Sequence, residues 1–379
     1  MEYKEYELGE LLYYEQPTPY IVESTDYNDT YETPVLTAGK SFILGYTDEK
    51  EGIYDQLPVI IFDDFTTASQ YVNFKFKVKS SAMKILTPVT ELVLPKYIYY
   101  RIQIIQFDHS THKRYWIQQY SKIRVSIPPI PEQECIVARI EELFSQLDAG
   151  VETLKKTKAQ LVVYRQAVLK EAFEGDYPRK QLKEFSKAIS GFAFKSSRYS
   201  PDGNYVVVKI GNVKERHFDF SRDLTKTLEA DDSILEKYLL RRGDCLITLT
   251  GSRGKRDYGF VAMVGNQNNY LLNQRVAALR FDQSVALPEF FQYYLASPSY
   301  RDMFFGYETG NVGQGNVGIK ALLDPYVILP DIDMQKRIVE DVEDRLSVCD
   351  SIEQTVDTAL QQAEAMRQSI LKDAFEGRL

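Results

Sequence analysis

The phrase LKEAFEG (Leu169–Gly175) returns as LKDAFEG (Leu371–Gly377) in this chain of 379 residues. Displacing the chain against itself by 202 positions superposes the two phrases, and the match runs back without a gap to Pro128 and Pro330. Gln133/Gln335, Ile136/Ile338, Val137/Val339, Glu141/Glu343, Asp148/Asp350, Thr153/Thr355, Arg165/Arg367 and Gln166/Gln368 are identical. This offset is far longer than the ~20–50 residues of stacked solenoid repeats, so the unit duplicated is a domain with a helix attached.

Both copies read as long helices. Apolar residues recur at steps of three and four through Ile136, Ile140, Leu143, Leu147, Val151, Leu154, Leu161 and Val168. They do so again through Ile338, Val342, Leu346, Cys349, Ile352, Val356, Leu360, Ala363 and Ile370. Prolines 128, 129 and 131 mark the first start, and Pro330 with Asp331 and Asp333 the second. Gly175 and Gly377 are the expected stops. A helix of roughly 40 residues is about 60 Å long. Each stripe packing on its own domain is the plain alternative, but such length suits two helices that bury each other's seams. An antiparallel pair would place two domains at opposite ends of a spacer.

The segments before the helices also resemble one another. Pro19–Gly39 lies over Gly191–Gly211, sharing Ser24/Ser196, Tyr27/Tyr199, Val35/Val207 and Gly39/Gly211, and LPKYIYY (Leu94–Tyr100) lies over LPEFFQY (Leu287–Tyr293). Their offsets differ, as loop insertions require. Short β-rich runs (PVIIFDD, YVNFKFKV, DCLITLTG, YGFVAMV) precede a helix-like stretch in each. The expected class is α+β: two α+β domains, residues 1–127 and 178–329, each followed by a long helix, 128–177 and 330–379, with a pseudo-two-fold internal repeat.

Composition narrows the function. The formal charge is −8, which argues against phosphate until it is resolved by region. Residues 1–69 carry −12 and 70–130 carry +8; the helical segments carry −3 (131–178) and −6 (331–379), and residues 179–330 carry +5. Cys135, Cys245 and Cys349 are scattered, signalling neither disulfides nor zinc, and are expected to be buried or half-buried. No apolar run is long enough to span a membrane and the first residues lack a signal-peptide pattern, so a cytoplasmic protein is expected.

The passage from Ile123 to Gly175 closely resembles the first conserved region of the specificity subunits of Type I restriction-modification systems, and Val327–Gly377 resembles the second. The shared signature is Leu or Ile, Pro, a few residues, Gln, then Ile-Val opening a long helix; it stands at Ile127–Val137 and Leu329–Val339. Cys135 replaces a residue more often basic. The resemblance covers the whole chain and implies a non-catalytic subunit of two target-recognition domains. Each would read one half of a bipartite double-stranded DNA target, while the paired helices fix the gap and dock two methyltransferase subunits. Where the system restricts, ATP-dependent nuclease subunits join them. No cofactor is expected here; S-adenosylmethionine, ATP and Mg belong on the partners. The competing reading is a coiled-coil scaffold holding two protein-binding domains.

Chemical motifs are few. GSRGKRD (Gly251–Asp257) lacks Walker spacing, GNVGQGNVG (Gly310–Gly318) reads as a flexible loop, and His109 and His112 have no third ligand in view. Candidates for DNA contact are Arg253, Lys255, Arg256 and Tyr258 in a glycine-flexed loop, and Asn273, Gln274 and Arg275 before an apolar strand. Guanidinium groups pair with guanine edges or phosphates, and amides with adenine. The first domain offers Lys75, Lys77 and Lys79 on one strand face, with Lys113, Arg114 and Tyr115; Lys195 and Arg198 complete the set. Taken singly, each is also readable as a solvated surface cluster, and the lysine face as edge protection. Lysines mostly position the DNA backbone, which makes Arg253, Arg256, Asn273 and Arg275 the stronger candidates for base readout.

Overall fold

The computed structural model describes residues 3–39, 41–107, 114–228, 231–311 and 313–379. It divides into two compact units, Met1–Lys155 with Asp357–Leu379, and Lys156–Val356.

In the first unit, β1 (Lys4–Glu7) leads through the short helix α1 (Leu8–Leu11) into β2 (Leu12–Glu15). There follow β3 (Thr33–Leu36), β4 (Ile43–Thr47), β5 (Val59–Asp63), β6 (Ser69–Val72), β7 (Lys77–Val78), β8 (Met83–Pro88), α2 (Pro95–Gln103) and β9 (Arg124–Ile127). Strands β2-β8-β5-β6 form an antiparallel sheet, β4-β3-β7 a second in which β3 and β7 run parallel, and β1 pairs antiparallel with β9. The run VIIF of β5 is buried throughout, so side chains on both faces are covered. Ile60, Phe62 and Leu86 join the core beneath α2, and Val59, Ile61 and Ile85 a second core with Leu36, Phe76 and Val78.

The second unit repeats the plan. Its strands are β10 (Arg179–Gln181), β11 (Ser186–Ser190), β12 (Tyr205–Val208), β13 (Lys226–Thr227), β14 (Cys245–Thr248), β15 (Thr250–Ser252), β16 (Val261–Met263), β17 (Tyr270–Leu272), β18 (Val276–Phe281), β19 (Gln314–Asn316) and β20 (Tyr326–Ile328). The order β11-β18-β14-β16 reproduces the first four-stranded sheet; β13-β12-β17, again with one parallel pair, reproduces the second; and β10 with β20 reproduces β1 with β9. Even the entry turns agree. The Glu7 N–H donates to Glu10 Oε2 at 2.7 Å, and the Gln181 N–H to Glu184 Oε1 at 3.0 Å.

Two long helices, α3 (Ile130–Ala172) and α8 (Ile332–Phe375), each begin in one unit and end in the other. Between them in sequence lie α4 (Asp232–Tyr238), α5 (Pro288–Ala296), α6 (Pro298–Gly306) and α7 (Ile319–Leu323), of which α5 corresponds to α2. In the first unit Ile140 packs with Leu371 and Ala374, and Arg367 reaches Asp148 and lies 4.9 Å from the centre of the Phe144 ring. In the second, Arg165 reaches Asp350 and Glu353, the latter at 2.7 Å, and Arg345 meets Glu171 at 2.8 Å. Advancing along α3 means retreating along α8 in both units, so the helices pack antiparallel. Arg165–Asp350 and Arg367–Asp148 are the same ion pair related by the repeat.

The seam differs from its expected form at Ile352, which is 40% exposed, while Cys349 and Val356 on either side are buried. Cys135, expected to be at least half-buried, is exposed. Of the two glycine stops, Gly377 adopts φ +71, the left-handed conformation of a helix end. Helix α3 instead ends at Ala172, and a Cβ at Gly175 would fall 2.6 Å from the Tyr177 ring, which would have to shift.

Candidate nucleic-acid interface

In the second unit β17 passes into β18 through Asn273–Gln274–Arg275. Backbone hydrogen bonds hold this tight link. The Asn273 N–H donates to Val208 O at 3.2 Å, the Gln274 N–H to Phe192 O at 2.9 Å, and the Leu249 N–H to Arg275 O at 2.9 Å. Arg275 is held at φ +69, a conformation that costs a non-glycine residue of order 1 kcal/mol and persists only where neighbours enforce it. The approach is close enough that a Cβ on Gly191 would lie 1.9 Å from Asn273 O, so that position accepts only glycine. Asn273 is half-buried; Gln274 and Arg275 are exposed, and among the described residues their side chains have no hydrogen-bond or ion-pair partner.

The second cluster lies on the added strand pair. GNVGQGNVG, expected to be a loop, contributes β19, which runs against β15 with Gly251 opposite Gly315. Beyond β15 the exposed guanidinium groups are already engaged. Arg253 donates to Gly310 O at 2.9 Å, and Arg256 to Asp302 at 2.8 Å while lying 5.1 Å from the Phe305 ring. Lys255 is exposed. Tyr258, read as a surface contact, is corrected: it is 1% exposed and donates to Glu308 at 2.7 Å, with burial and then the Glu308 carboxylate pushing its phenol well above the ordinary range. The turn rests on Arg301, which sequence reasoning missed. Its guanidinium donates to Gly259 O, Arg256 O and Tyr258 O at 2.8, 3.0 and 3.2 Å between the rings of Phe260 and Phe305. Burial lowers its pKa. Nothing in SPSYRDMFF distinguishes that role from an exposed helical arginine.

Lys195 precedes and Arg198 closes a single 3-10 turn, Ser196–Arg198, and both are exposed. The Thr227 hydroxyl donates to Arg198 O at 3.1 Å, tying the turn to β13.

In the first unit the lysines do not share a face. Lys75 is exposed beside Asp55, and Lys79 is half-buried with its ammonium 5.6 Å from the Tyr27 ring. Lys77 is corrected to an interior position. It is 4% exposed, pairs with Glu49 at 2.9 Å and donates to Glu51 O at 2.7 Å. Tyr115 is corrected likewise, being buried beside Phe107, while Arg114 is exposed. Lys113, His109 and His112 lie outside the described residues.

Among the described residues no cluster of His, Cys, Asp and Glu could hold a metal ion, and no helix is long and apolar enough to cross a membrane.

Residues 174–362 match the family model described as the Type I restriction modification DNA specificity domain. The chain is 46% identical over 196 residues to the Type I restriction enzyme EcoR124I/EcoR124II specificity subunit of Escherichia coli, covering 48% of each. It is 29% identical over 279 residues to the EcoKI specificity subunit of Escherichia coli strain K12, covering 69% of this chain and 58% of that one. It thus spans between about half and three-fifths of the curated relatives it matches. Among solved structures, a chain from work on complex assembly and conformational transition of the type I R-M system aligns over 100% of this chain and 98% of its own, with TM-score 0.71 and 18% identity. The HsdS subunit from Thermoanaerobacter tengcongensis aligns over 100% and 97%, with TM-score 0.51 and 18% identity. The structural matches share the fold, and the family model with the sequence matches establishes that the chain belongs to the Type I restriction-modification specificity subunits.

Proposed function

We propose that the chain is the DNA-reading subunit of a Type I restriction-modification complex and has no catalytic chemistry of its own. Each α+β domain reads one half of a bipartite duplex target, and the antiparallel helices set the spacing and dock two methyltransferase subunits. ATP-dependent nuclease subunits join where the system restricts. S-adenosylmethionine, ATP and Mg act on those partners, and the complex works in the cytoplasm. The observation that carries this reading is the duplication of a whole α+β fold on a repeated helix, each strand of the first unit having its counterpart in the second. Two copies of one reader suit a target of two halves. The acidic helices are unsuited to phosphate, whereas residues 179–330 carry +5.

A methylation map of host DNA tests the proposal. Cells carrying the intact chain and its methyltransferase should modify a motif of two short half-sites separated by a fixed gap. A single continuous motif, or none, overturns the reading.

A further inference from the structure

Lys79 of the first domain and Asn273–Arg275 of the second share no sequence pattern. Topology makes them one loop. Strand β7 corresponds to β17 and β8 to β18, so Lys79–Ala82 and Asn273–Arg275 are equivalent connections. The backbone bonds that hold them also correspond. The Lys79 N–H donates to Leu36 O at 3.1 Å, Leu36 being the last residue of β3, just as the Asn273 N–H donates to Val208 O, the last residue of β12. The Asp64 N–H, next after β5, donates to Ala82 O at 3.1 Å, as the Leu249 N–H, next after β14, donates to Arg275 O. Both loops therefore hang on the same two strand ends and differ in length by one residue. That difference alters what projects from a fixed base.

From this equivalence we infer that the link between the last strand of the three-stranded sheet and the last strand of the four-stranded sheet is the base-reading element of each domain. Gln274 and Arg275 specify bases in one half-site, and Ser80 and Ser81 serve the other, Lys79 being held against Tyr27 by a 3.4 Å hydrogen bond. The inference rests on the proposed DNA-reading function and assigns the residues that carry it. Two observations favour this loop over the Arg253–Arg256 turn. Its guanidinium and amide are exposed with no side-chain partner among the described residues, so they need break no protein contact to meet a base edge. Arg253 and Arg256 are held by Gly310 and Asp302, and the strand pair that carries them has no counterpart among the described residues of the first unit. They suit a positioning contact with phosphate. The tight backbone anchoring, including the left-handed Arg275, fixes where the side chains start, which bidentate recognition requires.

The test uses the full chain with its methyltransferase, reading the motif by methylation mapping and affinity by titration with duplex DNA. Arg275→Gly removes the guanidinium while suiting φ +69, and Gln274→Ala removes the amide. Each should relax one or two base positions within one half-site, with discrimination there falling about 10- to 100-fold and the other half-site and the gap unchanged. Ser80→Ala with Ser81→Ala should relax the opposite half-site. Arg253→Ala with Arg256→Ala should weaken all targets alike and reduce the salt slope. Unchanged motifs in the Gln274, Arg275 and serine variants, with binding intact, overturn the loop assignment while leaving the DNA-reading function standing. If the unaltered complex neither binds DNA in a salt-dependent way nor methylates a bipartite motif, the underlying function fails first.

Discussion

Gln133 and Gln335, identical residues 202 positions apart, make the same three hydrogen bonds in their respective units. Gln133 accepts from the Leu94 N–H at 2.8 Å and donates to Leu92 O at 3.0 Å and Pro128 O at 2.9 Å. Gln335 accepts from the Leu287 N–H at 2.8 Å and donates to Val285 O at 2.9 Å and Pro330 O at 2.7 Å. Both are wholly buried. One amide thus fastens the start of a long helix, the proline before it and the leucine that precedes the LP helix of the domain. That is the physical content of the Pro-to-Gln pattern that this chain repeats at Pro128–Gln133 and Pro330–Gln335.

Removing either amide deprives one backbone N–H and two backbone carbonyls of a wholly buried partner. Gln335→Ala should destabilise the second unit by about 2–4 kcal/mol, and Gln133→Ala the first by a similar amount. Amide hydrogen exchange locates the damage: Leu287 should lose protection in the former variant and Leu94 in the latter, each without the other.

The repeated phrase has its own function, which is to seat a phenylalanine. Phe173 packs edge-on against Phe290 and Tyr294 at 5.4 and 5.2 Å, and Phe375 against Tyr97 at 5.3 Å with Arg101 above its ring. Tyr97 and Phe290 stand at the same place in equivalent helices. Phe173 is 7% exposed and Phe375 only half-buried, so Phe173→Ala should cost about 3 kcal/mol and Phe375→Ala less. Equal midpoints in chemical denaturation would contradict this ordering.

Lys77 supplies a test of burial against surface charge. Its partner Glu49 is opposed by burial, but the Ser24 N–H, the Lys77 ammonium and the Glu23 N–H outweigh that effect and hold its carboxyl below the ordinary range. A carboxyl lowered in the folded state contributes stability that is complete above its unfolded pKa and is lost as pH falls through the folded value. Lys77→Met should therefore lower Tm at pH 7, at a cost of about 3 kcal/mol, and flatten the loss of Tm as pH falls below the ordinary carboxylate range. The salt slope of DNA binding should not change, whereas a phosphate contact at Lys77 would reduce it by about one.

The long helices were legible because periodicity and a constant offset act over more than 40 residues, where chance alignment is excluded. The domains were legible only as a class. Their strands run two to six residues, and the parallel pairs β3–β7 and β12–β17 join segments about 40 to 65 positions apart, for which local pattern holds no signal. Candidate contacts failed where tertiary structure overrode alternation. Lys77 looks like part of an outward stripe, yet Glu49 and Glu51 O draw it inward. Arg275 gave the opposite problem, since a left-handed arginine leaves no mark comparable to a glycine.

The helix pair yields the last prediction, which depends on the proposed ruler. In the first unit Ile140 meets Leu371, and in the second Arg165 meets Asp350; Lys155 on α3 and Val356 on α8 lie between these contacts. Inserting the same four residues into α3 after Lys155 and into α8 after Val356 adds about 6 Å to each helix at 1.5 Å per residue. Inserting four into a seam of period 3.5 preserves an apolar face with slight unwinding. The gap between half-sites should grow by about one or two base pairs at ~3.4 Å each, while the bases read in each half stay the same. An insertion in one helix alone should instead break the register of the seam and lower stability. Methylation mapping of the single- and double-insertion variants decides the matter: an unaltered gap in a folded, active double-insertion complex removes the ruler from the helices, whatever the domains read.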